Sequence, residues 1–428
     1  MSTTASQTPR SQRSTERRIT FFVALAVFAQ ESTWNFYDSQ VPPLLREHIA
    51  SAAIVGLCMG MDNLFGIFIQ PWMGNRSDNT RTTWGRRMPY LVVGMPLAAL
   101  LFVVIPHSAA SLPTLLAVIF AYALVANSFK PIAESLLPDF IAPERRSRAN
   151  AAVKIASALT VIVAALISIF VVDEHPKAAF AIPAALMLIS IAVLAWRVRD
   201  SRSAGYQAAL QEDAAGEDGK APRIRVRDVI LDIVRDVDRS RLLLVVSIFL
   251  FGAAWAASRA LLTPYGQEVL DLSRGDAGGL TLPAGVAYIV AAYPAALLAE
   301  KVGRITVMIG GMSVFAAAMV FGGLVQTPTA TVVAFCIGAA GAAGFMINAV
   351  VVLWNLAPSA RVLGTYAGLY TVGWASGGFI GPAIVGGAID LSSWSFMLFD
   401  IAILAGLAIV VVSRVSTLQG RRTDGVAL

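Results

Sequence analysis

Apolar runs of about 20 residues recur along this chain with charged connections between them, and that is the length a helix needs to cross a hydrocarbon layer ~30 Å thick. Inside such a layer no water satisfies the backbone, so each run has to be a helix. We place twelve of them, near residues 20–45, 53–75, 89–106, 113–137, 147–172, 178–196, 241–267, 279–299, 305–325, 329–355, 362–388 and 394–413. Of the 428 residues, 57% are hydrophobic and only 14% charged, which agrees with an all-α membrane protein of twelve transmembrane helices and not with a soluble domain.

Lys and Arg set the orientation. Twelve spans put both termini on one side, where the connections hold 27 of the 33 basic residues; the opposite side has only Arg46, Lys177 and Arg274. Lys130, Lys154 and Arg259 fall within spans. The bias predicts cytoplasmic termini and a cell (inner) membrane location. The net charge of +6 then reflects topology and contact with anionic lipid, so we expect the lipid bilayer as a partner and no nucleic acid. ITFFVALAVFA at residues 19–29 imitates a signal peptide, but the run continues past Trp34 and eleven more spans follow, so we read it as helix 1. Cys58 and Cys336 lie in separate spans without CxxC spacing and suggest neither disulfide nor metal. With no nucleophile–base pair, metal cluster or phosphate loop, the chain does not read as an enzyme, and no cofactor is expected.

Residues 197–240 are the longest polar stretch. Its first part includes QEDAAGEDGKAP, read as flexible, and it then places Val226, Val229, Ile230, Ile233, Val234 and Val237 at helical spacing, as in a helix lying on the membrane surface. This linker divides the chain into a disordered tail (1–18), a six-helix bundle (19–196), a second bundle (241–413) and a C-terminal tail (414–428). Landmarks recur across it. Trp34 and Trp255, Pro43 and Pro264, and Asn127 and Asn348 are each 221 residues apart, which argues for a duplicated unit and two pseudo-symmetric bundles.

A charge at mid-bilayer costs roughly 2.5–3.5 kcal/mol on insertion scales, so charged groups inside spans face a cavity or a partner. In helix 1, Glu31, Asn35 and Asp38 form one stripe. The 221 offset carries Asp38 onto Arg259, so an acid and a base occupy equivalent places in helices 1 and 7. Helix 4 presents Asn127, Lys130 and Glu134, helix 10 Asn348 and Asn355, and helix 2 Asp62 and Asn63. Together these groups suit a hydroxyl-rich small molecule, with Trp34 or Trp255 stacking on its apolar face. Lys130 and Glu134 could equally neutralise one another within their helix, and Asp38 with Arg259 could be purely structural. Lys154 sits where it would snorkel.

Residues 70–90 read QPWMGNRSDNTRTTWGRRMPY. Gly74 would let helices approach closely, and Asp78 would hold Arg86 or Arg87 beyond the turn at Gly85. Glu300, Gly303 and Arg304 are a shortened echo in the second half. The stretch resembles the loop signature of the major facilitator superfamily. With the PDF and RSRANA segments that begin at Pro138 and Arg146, it is similar more narrowly to the sucrose carriers and the glycoside, pentoside and hexuronide cation symporters. That resemblance implies the major facilitator fold, alternating access, symport of a sugar such as a glycoside or oligosaccharide, a monomer, and a latch at residues 74–87 that closes the cytoplasmic side. Purely topogenic arginines are the competing reading.

Sodium-coupled melibiose-type carriers have two helix 2 carboxylates where this chain has Gly66 and Gln70, so the resemblance points to protons as the coupling ion, with Asp38, Glu31 and Glu134 as candidates. Plant sucrose carriers have an arginine in helix 4 where this chain offers Lys130 and Glu134, which leaves the identity of the sugar open. A proton antiporter exporting drugs or metabolites is the alternative, on the strength of GGFIGPAIVGG at 377–387; a transporter-like solute receptor is a third.

Overall fold

The structure is a computed structural model that describes residues 10–140, 146–215, 235, 239–356 and 363–425, and among these residues it is helical without strands. Twelve long helices follow the expected order. The first six are α1 (Arg10–Arg46), α2 (Ala52–Asp78), α3 (Met88–Val104), α4 (Leu112–Phe140), α5 (Arg146–Ile167) and α6 (Pro176–Arg197). The second six are α7 (Ser240–Ala260), α8 (Leu282–Val302), α9 (Arg304–Val325), α10 (Pro328–Asn355), α11 (Leu363–Leu391) and α12 (Met397–Gly425).

Among the described residues, ten stretches are long and apolar enough to cross a membrane. Of the two remaining long helices, α1 carries the polar run Gln30–Asn35, and the described side chains of α5 form the apolar stretch Ala156–Val172.

The boundaries depart from expectation in four places. α1 starts at Arg10, inside the stretch read as a disordered tail, and α12 continues to Gly425. The span expected at 241–267 breaks at Leu261 and restarts as the short helix Leu262–Glu268, because Pro264 has no amide hydrogen to continue the ladder. Part of the stretch read as flexible is a helix, Ala204–Ala215, which Ser203 caps by accepting from the Tyr206 amide (3.2 Å). The amphipathic helix expected over 226–237 lies outside the described residues, apart from Arg235.

Each half has its own core. Phe36, Phe102, Tyr122 and Phe180 centre the first, and Phe251, Phe315 and Phe345 the second, in edge-on or tilted contacts about 5 Å between rings. The outward faces expose Phe68, Phe170, Leu324 and Ile403, as a surface solvated by lipid does.

One end of the bundle holds the α2–α3 connection, the start of α1 and the end of α12; we call it the termini face, and its opposite the far face. The halves approach most closely through glycines. A Cβ at Gly56 or Gly60 of α2 would overlap the α11 backbone at Pro382 or Phe379, and one at Gly386 would overlap the start of α2. α5 meets α8 at Val161 and Gly285. These approaches lie from mid-depth to the far face.

Candidate functional site

Between the halves lies a cavity of about 1620 Å³, walled by the first half on one side and the second on the other. Five charged side chains line it: Glu31, Asp38, Asp62, Lys130 and Arg259. Trp34, Asn35, Asn63, Asn127 and Trp255 line it as well. The polar stripe predicted for helix 1 therefore does face a cavity, together with groups from α2, α4 and α7.

The charges are arranged in two cross-helix pairs and a remainder. Lys130 Nζ lies 3.0 Å from Glu31 Oε1, so α4 is bound to α1 instead of neutralising its own Glu134. Arg259 reaches across from the second half, its Nε 3.8 Å from Asp38 Oδ2 and its Nη2 donating to Asn35 Oδ1. The equivalence of Asp38 and Arg259 under the 221 offset thus becomes a contact on the axis between the halves. Asn35 is oriented from behind, its amide donating to Thr160 Oγ1 (2.7 Å) of α5 and to the Glu31 carbonyl (3.0 Å). Asp62 accepts from the Asn63 amide (2.8 Å).

An amide ladder stands where a cation site was weighed from the resemblance. Gln70 Nε2 donates to Asn127 Oδ1 (2.7 Å), and Asn127 Nδ2 donates to the Asp62 carbonyl (3.0 Å). A Cβ at Gly66 would touch both amides at 3.0 Å. Thr160 and Gln70 are site residues that the polar-stripe argument missed. Both are neutral groups whose role is visible only once a neighbouring helix is packed against them: Asn127 of α4 for Gln70 and Asn35 of α1 for Thr160.

Three expected residues stay away from the cavity. Glu134 is exposed, Asn355 is exposed at the end of α10, and Asn348, 3% exposed, turns its amide back onto the Gly344 carbonyl (2.8 Å). Beside Arg259 and a few hydroxyls, the second-half wall is mainly aromatic and apolar, with Trp255, Tyr288, Phe315 and Trp374.

At the termini face, both predicted arginines are held, by a partner that was not predicted. Asp139, in the PDF segment of α4, receives Arg86 through Nη2 (2.5 Å) and Nε (3.1 Å), and Arg87 through Nε (2.9 Å). Arg87 also donates to Ser77 Oγ (2.9 Å). Asp200, just beyond α6, accepts from the backbone amides of Arg87 (2.5 Å) and Met88 (3.3 Å) and so caps α3. Burial pushes the Asp200 carboxyl above the usual carboxylate range, against the pull of those two amides. Tyr206 closes the arrangement by donating to the Thr82 carbonyl (2.9 Å).

The other expected latch residues differ. The Asp78 side chain, like that of Lys154, lies outside the described residues. Gly74 has open space where its Cβ would be, so it makes no close helix contact. Gly85 and Gly303 share a positive φ, 99° and 93°, and in this the echo between the halves is real. Glu300 and Arg304, however, are exposed and have no side-chain partner among the described residues.

Gly85→Ala should lower stability by about 1–3 kcal/mol, because a side chain would be strained at that φ and its Cβ would collide with Asp200. Gly303→Ala meets only Thr306 Oγ1 at 3.7 Å and should cost less. The two melting temperatures, compared in one detergent, check the order.

A family model described as the Major Facilitator Superfamily matches residues 23–286 and 277–424. The sucrose transport protein SUC4 of Arabidopsis thaliana is 32% identical over 105 residues, a match that spans 24% of this chain and only 19% of that protein. Among solved structures, the nucleoside transporter NupG superposes with a TM-score of 0.73 at 12% identity, covering 94% of this chain and 99% of that one. A peptide transporter, POT, superposes with a TM-score of 0.70 at 16% identity, covering 94% of each chain. At these identities the structural likeness is one of fold.

Proposed function

The chain belongs to the major facilitator superfamily, and from that premise we propose that it moves a sugar, a glycoside or an oligosaccharide, by alternating access with proton symport across the cell (inner) membrane. It is a multi-pass membrane transporter of small molecules and not an enzyme. The excess of basic residues on the termini face supports a cytoplasmic orientation for it.

The charge of the cavity carries the reading. Among the described residues three acids and two bases line it, leaving one carboxylate in excess. Taking up one proton neutralises the lining, so a neutral solute can travel through the apolar layer without an uncompensated charge in the wall. Asp38, 3.8 Å from the Arg259 guanidinium, and Asp62, which has no ion-pair partner among the described residues, are the acids available to receive it; Glu31 is engaged by Lys130. Amides concentrated on the first-half wall (Asn35, Asn63, Gln70, Asn127) can bond the hydroxyls of a pyranose, and aromatic rings concentrated on the second-half wall can stack on its apolar face. The likeness to a sucrose transport protein supports a sugar over other solutes. The glycine–proline run of α11, the support for an antiporter, is occupied with packing: Gly377 and Gly381 lie against the α7 backbone at Phe249 and Ala253.

One measurement on the purified protein and one on vesicles or cells test this. Binding raises stability by RT ln(1 + [L]/Kd), so a glycoside at about 100 Kd should stabilise it by ~2.7 kcal/mol in a thermal screen. Adding that glycoside to vesicles or cells should alkalinise the external medium. Stabilisation by lipophilic cations alone, with no response to any sugar, would replace this reading with the antiporter.

A further inference from the structure

The far face is closed by polar contacts that run from one half to the other, and their members are related by the internal repeat. Arg46, at the end of α1, pairs with Glu268 at 2.7 Å. These two are 222 residues apart, so equivalent positions in the two halves meet on the axis, as Asp38 and Arg259 do deeper in. Asp390, at the end of α11, receives the Ser51 hydroxyl and the amides of Ala52 (2.7 Å) and Ala53 (3.1 Å) at the start of α2. Asp173, after α5, receives the Ser273 hydroxyl (2.5 Å) and the Gly275 amide (2.8 Å). Ser51 and Ser273 are 222 apart and Asp173 and Asp390 are 217 apart, so the second contact repeats the first with the roles of the halves exchanged.

Each half thus sends one aspartate onto a serine hydroxyl of the other, with two backbone amides beside it at Asp390 and one at Asp173. Arg274 adds a bond to the Gln40 carbonyl (2.6 Å) and another to its side chain (2.8 Å), and the Arg46 guanidinium rests 5.2 Å from the Trp394 ring centre. None of these groups reaches the solute cavity.

We infer that Asp173, Asp390, Arg46 and Glu268 are a latch that holds the far face shut, and that this face opens by breaking them together. The geometry supports this in three ways. Every one of these contacts is between halves, so none is needed for either six-helix bundle to hold its own core. All lie at one face. And the glycines beneath them, Gly56 and Gly386, bring backbones so close that the halves separate there only as bodies. The duplication explains why the latch is two-sided: a rocking motion about a pseudo-two-fold axis moves both aspartates off their amides at once. The inference rests on membership of the transporter family and not on the sugar reading.

The test is a distance measurement on the full chain without substrate. Spin labels at Ala110→Cys and Thr329→Cys, exposed at the far ends of the two halves, report the opening of that face once Cys58 and Cys336, the free cysteines, are replaced by serine. Wild-type latch residues should give one short distance population. Asp390→Asn and Asp173→Asn should each raise the fraction at longer distance about tenfold, which is ~1.4 kcal/mol, and the double variant should raise it further. Arg46→Glu should do the same, and Arg46→Glu with Glu268→Arg should return the distribution towards the short one. Should the double aspartate variant fail to fold, the single variants and the charge exchange decide. An unchanged distribution in folded single variants, or a charge exchange that behaves like Arg46→Glu alone, would overturn the latch while leaving the sugar and proton measurements untouched.

Discussion

Asp38→Asn protein in vesicles will exchange labelled sugar across the membrane but accumulate none against a gradient. The substitution keeps the shape of the side chain and removes its charge from the cavity lining, so the proton that neutralises the lining has one site fewer. One proton crossing 100 mV supplies roughly 2.3 kcal/mol. At 1.4 kcal/mol per tenfold, this supports about fifty-fold accumulation, and that factor is what the variant loses. Exchange survives because Arg259 keeps its hold on Asn35, which Thr160 orients from behind. Asp62→Asn is the companion measurement. If it abolishes accumulation while Asp38→Asn retains it, the coupling acid is Asp62; if both retain it, proton coupling through this cavity is wrong.

Asp139→Ala will cost more in stability than any other single change at the termini face. Arg87 is 3% exposed and Asp139 5%, and removing the carboxylate leaves two guanidinium groups without it in a buried place. Breaking a buried pair in this way costs about 3–5 kcal/mol, on the order of 10 °C in melting temperature. Asp139→Asn keeps acceptor capacity and should fall between. Arg304→Ala, in the exposed echo of the second half, should stay within about 0.5 kcal/mol. A set of melts in which Arg304→Ala equals Asp139→Ala would show that the two halves carry equivalent latches after all.

These expectations show where a linear reading succeeds. The twelve helices were legible because hydrocarbon leaves the backbone no alternative, and the stripe Glu31–Asn35–Asp38 because helical spacing puts those groups on one face. The 221 offset was legible as well, since duplication survives as arithmetic. Lys130 shows the limit. It is four residues from Glu134 and also within reach of Glu31 on another helix, and spacing alone could not choose between them. Asn348 satisfied the offset yet bonds its own helix, because an amide can be content with the Gly344 carbonyl when no neighbour competes. Asp139 was in plain view in the PDF segment, but nothing along the chain says that α4 ends beside the α2–α3 turn.

By itself, then, the sequence determined the class of solvent, the number and order of helices, the repeat and the acid–base pair in helices 1 and 7. Each follows from a local rule: hydropathy, periodicity or a fixed offset. Only the tertiary structure decided the partners. It gave Lys130 to Glu31, both arginines to Asp139, the start of α3 to Asp200, and the far-face aspartates to the opposite halves. Hydrogen bonds and ion pairs act over about 3 Å, and residues 50 to 340 positions apart reach that distance only once the helices are packed.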